Sequence, residues 1–133
     1  MLQISSLSNP KIKALIKLEK SGHRAEMGLF TIEGKKEILL CAAAGYHITE
    51  LYYCPEIVKD QGLLQSPFFK GVQLIEITLP VFEKIAYRES RDGYFAVAKT
   101  SYKTLAQLKL SKKPVIVILE AVEKPGNLGA ILR

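Results

Sequence analysis

The amino-acid sequence predicts an α/β fold, and three observations predict it. Segments with the periodicity of amphipathic helices alternate with short apolar strands along the chain. Apolar residues make up 48% of the 133, enough for a core and too many for a disordered chain. The last strand-like run is followed by a glycine-containing turn and only the opening of a helix. One βα unit cannot bury its own faces. The sequence therefore reads as one complete α/β domain over residues 1–110, then a linker and the truncated start of a second domain over 111–133.

Asn9 and Pro10 open the first helix, Asn as the N-cap and Pro at the first helical position, where its missing N–H costs nothing. Ile12, Leu15 and Ile16 form the apolar stripe, and Lys13, Lys17 and Lys20 gather on another face before Ser21-Gly22 stops the helix. Residues 21–28 read as a polar, basic loop. Leu29–Glu33 is a strand, and Lys35–Ala44 a helix closed by Gly45. Ile48–Tyr53 alternates as a strand ending at Cys54-Pro55, and residues 56–65 read as a weak helix interrupted at Gly62. Val72–Thr78 is the clearest alternating strand. Thr78 then caps a helix over Leu79–Tyr87, with Pro80 early in it. Arg88–Gly93 is a turn-rich loop, Tyr94–Lys99 a strand, Thr104–Leu108 a short helix and Ser111–Lys113 a charged linker. Val115–Leu119 is a continuous, mostly β-branched run, the pattern of a strand buried on both faces.

Charge is unevenly spread. Residues 1–36 carry seven Lys/Arg against three Glu, residues 37–100 six against eight acids, and residues 101–133 six against two. Basic charge at both ends of a chain of net charge +6 suits a polyanion: RNA, DNA or a membrane surface. The plain alternative is solubility. The longest apolar run, Pro114–Leu119, is far short of the roughly 20 residues that span a bilayer. Residues 1–8 lack the basic and apolar regions of a signal peptide. Cys41 and Cys54 cannot make a disulfide framework, and neither has a second ligand at metal spacing, so a reducing cytoplasmic setting and no metal site are expected.

Most catalytic sets are missing. His23 and His47 have no carboxylate or thiol partner at metal spacing, and His23 reads as a solvated or RNA-facing side chain. Cys41, beside three alanines, reads as a small core residue, and Cys54 has no neighbouring base to activate it. Glu33, an acid on an apolar strand, is read as a partner of Lys35, Lys36 or Arg24. The concentrated signal is Glu120–Arg133, a tight turn and helix start with Asn127 and Arg133 six positions apart. Gly126 and Gly129 permit close backbone approach, and a guanidinium can fork onto a phosphate. On physical grounds alone, a glycine-rich turn with a structural arginine explains it better. G-N-L-G lacks the spacing of a dinucleotide fingerprint.

The stretch E-x-x-x-x-P-G-N-x-G-x-x-x-R over 120–133 resembles the first motif of the SpoU (TrmH-type) RNA 2′-O-ribose methyltransferases. Asn9–Lys13, Phe30–Lys35 and Asp92–Val97 are similar to that family's substrate-binding domain. The resemblance implies an RNA substrate-binding domain over 1–110, an α/β/α sandwich like those of RNA-binding ribosomal proteins. It implies that residues 111–133 begin a trefoil-knotted methyltransferase domain that uses S-adenosylmethionine and is typically dimeric. Arg133 would contact the target nucleotide's phosphate and help activate the ribose 2′-hydroxyl, with Asn127 in the same pocket. The family's second and third motifs, which form the knot and the cofactor site, would lie beyond residue 133, so this chain alone is expected to be inactive.

The RNA partner would meet Lys11, Lys13, Lys17, Lys20 and Arg24, with Lys35 and Lys36 nearby. An added N-terminal domain favours ribosomal RNA over transfer RNA. The alternative is a stand-alone RNA-binding module without chemistry, and a nucleotide-binding enzyme fragment has little support from the glycine spacing.

Overall fold

A computed structural model describes residues 2–86, 92–102, 104–122 and 125–132. They form two compact units, Met1–Ser101 and Tyr102–Arg133. The first unit is built on a five-stranded sheet with the order β1 (Leu2–Ile4), β4 (Gln73–Ile77), β3 (Ile48–Tyr53), β5 (Tyr94–Lys99), β2 (Leu29–Glu33). β1 pairs parallel with β4 and β4 with β3, whereas β5 is antiparallel to both β3 and β2. Four strands thus run one way, and their carboxyl ends lie beside the start of β5.

Alternation along the central strands builds a core on each face. Phe95 and Val97 of β5, with Tyr52 of β3, join Ile12, Leu15 and Phe82 from α1 (Pro10–Lys17) and α4 (Leu79–Ile85). Tyr94, Ala96 and Ala98, with Leu51 and Tyr53, face the other way. There they meet Ile38 of α3 (Lys35–Ala43), and Leu63 and Phe69 from the 3-10 turns Gln61–Gln65 and Pro67–Phe69. This is the three-layer α/β/α sandwich that the family resemblance implies. A register shift between Ile48 and Glu50 inserts Thr49 as a bulge, which puts Ile48 in the same core as Leu51 and leaves Glu50 on the opposite face with Tyr52.

The helix starts follow their sequence signals. Asn9 Oδ1 accepts from Lys11 N at 2.9 Å, and Pro10 occupies the first position. Thr78 precedes α4, but its side chain makes no cap bond; the Glu56 carboxylate accepts from Leu79 N at 3.0 Å instead. Thr104 and Gln107 complete a capping box, closing a 3-10 turn over Leu105–Gln107.

Four expectations change. β1 is an added edge strand, too short to show a period. Residues 21–28 are not a loop: Ser21–Met27 is a helix, α2, ended by Gly28 in the left-handed conformation. Arg24, Ala25, Glu26 and Met27 all favour helix, and Gly28 sits where a C-terminal cap wants glycine. Residues 56–65 form a turn and a 3-10 segment, because Asp60 Oδ1 accepts from Gly62 N at 2.8 Å and tightens the chain locally. Val115–Leu119 is not a buried strand. Among the described residues it pairs with no strand, and Val115 and Ile118 are 92% and 89% exposed. A ladder needs a neighbour, and apolar patterning cannot supply one. In this second unit a helix, α5, spans Pro125–Ile131. Tyr87 and residues 88–91 of the expected helix end and loop lie outside the described residues.

Gly93 has φ 75°, and a Cβ there would lie 2.9 Å from Val58 Cγ2, 3.0 Å from Ile57 Cβ and 3.2 Å from the Cys54 carbonyl oxygen. Gly45 has φ 81° but no atom within 4 Å of a Cβ. Gly93→Ala is expected to cost about 2–4 kcal/mol, adding left-handed strain to overpacking. Gly45→Ala should cost only about 1–2 kcal/mol, for strain alone. Urea denaturation of both variants checks this, and equal costs would remove the steric contribution.

Candidate nucleic-acid interface

The seven basic residues expected to meet a polyanion divide by what their charged heads touch. Lys13 and Lys17 stand one turn apart on the exposed side of α1, and Lys20 follows in the exposed link to α2. Two like charges at this spacing repel by about 0.2–0.5 kcal/mol in an isolated helix, a cost that a polyanion reverses. Lys36 is also exposed, in the first turn of α3.

The other three heads are engaged. Lys11 Nζ pairs with Glu50 Oε1 and donates to Gln73 Oε1 at 3.3 Å. Tyr52 OH donates to the second Glu50 oxygen at 2.7 Å. Arg24 Nη1 donates to the carbonyls of Leu18 (2.9 Å) and Glu19 (2.7 Å), binding α2 to the end of α1. Lys35 Nζ pairs with Asp60 Oδ2 at 2.6 Å. Lys35 and Lys36 head a helix packed on the opposite core from α1, so the expected set is not one patch but two. His23 Nδ1 lies 3.3 Å from Glu26 Oε2.

Two clefts adjoin these groups. One, of about 190 Å³, lies between α1, α2 and the sheet and is lined by Leu15, Leu18, Met27, Leu29 and Val97, with Lys11 and Glu50 at its polar end. The other, of about 210 Å³, lies at the carboxyl ends of β2 and β3 and is lined by Lys35, Ile57, Lys59, Asp60, Asp92 and Tyr94. Asp92 Oδ2 accepts from Lys35 N at 2.6 Å, and its Oδ1 from Tyr94 N at 3.1 Å. Tyr94 OH donates to the Asp60 carbonyl at 2.7 Å. The motifs around Phe30–Lys35 and Asp92–Val97 were legible as sequence; that both contribute to this cleft, with Lys59 and Asp60 between them, was not. Lys59 and Asp60 carry no pattern of their own, and only the fold brings them to Lys35.

In the second unit Asn127 is exposed on α5, and Arg133 lies outside the described residues. Cys41 is partly buried and Cys54 buried, and burial pushes both thiols up, away from the reactive thiolate. Among the described residues no group of three or more His, Cys, Asp or Glu could hold a metal ion, and no helix is long and apolar enough to cross a membrane.

Residues 9–96 match the family model described as the MRM3-like substrate binding domain. The chain is 26% identical over all 133 residues to the 23S rRNA (guanosine(2553)-2′-O)-methyltransferase RlmP of Bacillus subtilis, of which it covers 50%. A crystal structure of an RNA 2′-O ribose methyltransferase shares 30% identity at a TM-score of 0.78, covering 98% of this chain and 50% of that one. The AdoMet complex of the SpoU methyltransferase AviRb from Streptomyces viridochromogenes shares the fold, at 18% identity and a TM-score of 0.63 over 77% of this chain and 38% of that one. The chain thus spans about half the length of the first two of these relatives.

Three tyrosines report on the packing beneath these clefts. Burial, then the hydrogen bond and negative charge of Glu50, push the Tyr52 phenol far above its ordinary range. Burial, then Glu76, whose Oε2 accepts from Tyr53 OH at 3.1 Å, raise the Tyr53 phenol as well. Tyr94 is raised by burial, then by Asp60 and Asp92. The fold favours the protonated phenols, so their contribution is intact below the ordinary tyrosine pKa of about 10 and is lost as pH rises toward the folded values. Alkaline titration should show a late phenolate step that coincides with loss of circular dichroism. Ionisation of all tyrosines near pH 10 with the fold intact would contradict it.

Proposed function

The chain belongs to the MRM3-like substrate-binding domain family, and from that premise we propose that it is the RNA-binding N-terminal part of an RNA 2′-O-ribose methyltransferase that acts on ribosomal RNA. The observation that carries this reading is the match of the whole of this chain with half of the Bacillus subtilis enzyme, which acts on 23S rRNA according to its name. The first unit is the RNA-binding body in this reading, and the second opens the methyltransferase domain. Lys13, Lys17 and Lys20, with Lys36 on the far layer, supply phosphate contacts. Lys11 and Arg24 hold α1 and α2 in place while adding to the positive field.

S-adenosylmethionine, when bound, supplies the electrophilic methyl group. The described residues of the second unit do not fit that cofactor by themselves: their apolar run, Val115–Leu119, is exposed instead of lining an enclosed site. We assign the cofactor site, and the dimer contact, to the remainder of a full-length enzyme. In this reading the chemistry within this chain falls to Arg133 and Asn127. A ribose 2′-hydroxyl is a poor nucleophile, and a fixed cation beside it and the phosphate favours the developing alkoxide while orienting the nucleotide. Arginine holds its proton, so its role is electrostatic activation and not base catalysis.

Phosphate-based recognition makes affinity fall steeply with salt. Replacing Lys13, Lys17 and Lys20 by Ala should weaken RNA binding and lower the salt slope by about 3, one per lysine. An unchanged slope would make this face a solvated surface. Calorimetry should find no S-adenosylmethionine binding by residues 1–133; micromolar binding would move the cofactor site into this chain.

In the full-length enzyme, Arg133→Ala should lower single-turnover methylation about 10²–10³-fold, equivalent to about 3–4 kcal/mol, while cofactor affinity holds. Lys should rescue in part, keeping the charge and losing the planar fork. A wild-type rate would remove Arg133 from the mechanism. RNA binding without methyl transfer by the full-length protein would favour a stand-alone binding module.

A further inference from the structure

The cleft at the carboxyl ends of β2 and β3 combines two lysines with two carboxylates, Asp92, which is held by backbone N–H groups, and Asp60, which restrains one of the lysines. The first N–H of α3 is not available to an anion, because Asp92 already accepts from Lys35 N. The side chains of Lys35 and Lys59 remain, facing a space of about 210 Å³. Asp60 is fixed at its rim by two bonds: its carbonyl accepts from Tyr94 OH at 2.7 Å and its Oδ1 from Gly62 N at 2.8 Å. Its other oxygen, Oδ2, holds the Lys35 ammonium. The carboxylate is anchored, while the lysine sits on a four-carbon stem that can swing. The Lys35 and Asp60 side chains are 36% and 70% exposed, and an ion pair this open to water is weak enough for a phosphate already held beside it to displace.

We propose that this cleft is a second RNA-backbone contact, on a different layer from the α1 lysines, in which a phosphate takes Lys35 from Asp60 and is gripped by Lys35 and Lys59 together. The inference rests on the RNA-binding reading above and adds to it a site, a lysine outside the expected set and a restraint. Asp60 sets a threshold: only a phosphate brought to the cleft by contacts elsewhere competes with an anchored carboxylate. Anions met singly in solution do not.

Fluorescence anisotropy with a labelled RNA hairpin tests this in a double-mutant cycle. Asp60→Asn keeps the side-chain oxygen that accepts from Gly62 N and removes the charge, so it should raise affinity several-fold. In a Lys35→Met background the same change should give no gain, because there is no lysine to release. Lys35→Met with Lys59→Met should lower the salt slope by about 2, one per lysine. Thermal unfolding of each variant establishes that it is folded, with Lys35→Gln as the substitute should Met perturb the turn. Equal gains from Asp60→Asn in both backgrounds would reduce Asp60 to bulk charge and overturn the restraint. A salt slope that responds to the α1 lysines but not to Lys35 and Lys59 would overturn the cleft while leaving the RNA-binding reading intact. Failure of the wild-type chain to bind the hairpin at all would remove both.

Discussion

The Asp92 carboxylate joins parts of the chain that are 57 residues apart. One oxygen accepts from the first backbone N–H of α3, the other from the first of β5, and charge-assisted bonds of this kind are about twice as strong as neutral ones. Around it the backbone closes on itself: Gly34 N donates to the Tyr94 carbonyl at 3.1 Å, and Cys54 N to the Gly93 carbonyl at 2.9 Å. The carboxyl ends of β2 and β3 are thus tied to the start of the strand between them. The tie uses glycine at 34 (φ 100°) and 93 (φ 75°), and at 93 a side chain would strike Ile57 and Val58 as well. The direction of α3, the seating of β5 and the cleft beside Lys35 all follow from it.

With β5 seated, side-chain size decides how the two layers sit. On the α1 and α4 face β5 presents Phe95 and Val97, and Phe95 meets Tyr52 edge to face with ring centroids 6.3 Å apart. On the other face it presents Ala96 and Ala98 after Tyr94, and those small residues leave room for α3 to approach. Two carboxylates at the edges of these layers pair off the polar groups around them. Glu50 takes Lys11 and Tyr52, and Glu76 takes Tyr53 and Gln3. A polar group left buried without a partner costs about 1–3 kcal/mol, comparable to the gain from burying a ring beside it.

Much of this was legible in the sequence, and the exceptions share a cause. The Asn9-Pro10 start, the α3 segment and the strands at 29–33, 48–53, 73–77 and 94–99 are local signals, and the structure follows them. Ser21–Met27 misled because Ser-Gly was read as a stop, although the four residues after His23 favour helix and Gly28 provides the end. The Thr49 bulge could not be foreseen, since alternation puts Ile48 and Glu50 on one face and only pairing with β5 separates them. At the candidate interface, counting lysines found the charges but not their partners. Lys35 was expected to act beside the α1 lysines, and the fold gives it to Asp60 on another layer. Pairing partners distant in sequence have no periodicity to betray them.

Tyr94–Ala98 and Val115–Leu119 show how far a pattern reaches. Both are continuous five-residue apolar runs and both read as strands, the second as one buried on two sides. The first is flanked by β3 and β2, and each of its five residues is buried. The second pairs with no strand among the described residues and leaves Val115, Ile116, Val117, Ile118 and Leu119 exposed. Fully burying one such side chain is worth about 1.5–3 kcal/mol, so most of the hydrophobic gain available to this run is unrealised. A segment that apolar is a structural half. Its pattern specifies a strand only when other strands are there to flank it, and in the proposed full-length enzyme those strands belong to the domain that this segment opens.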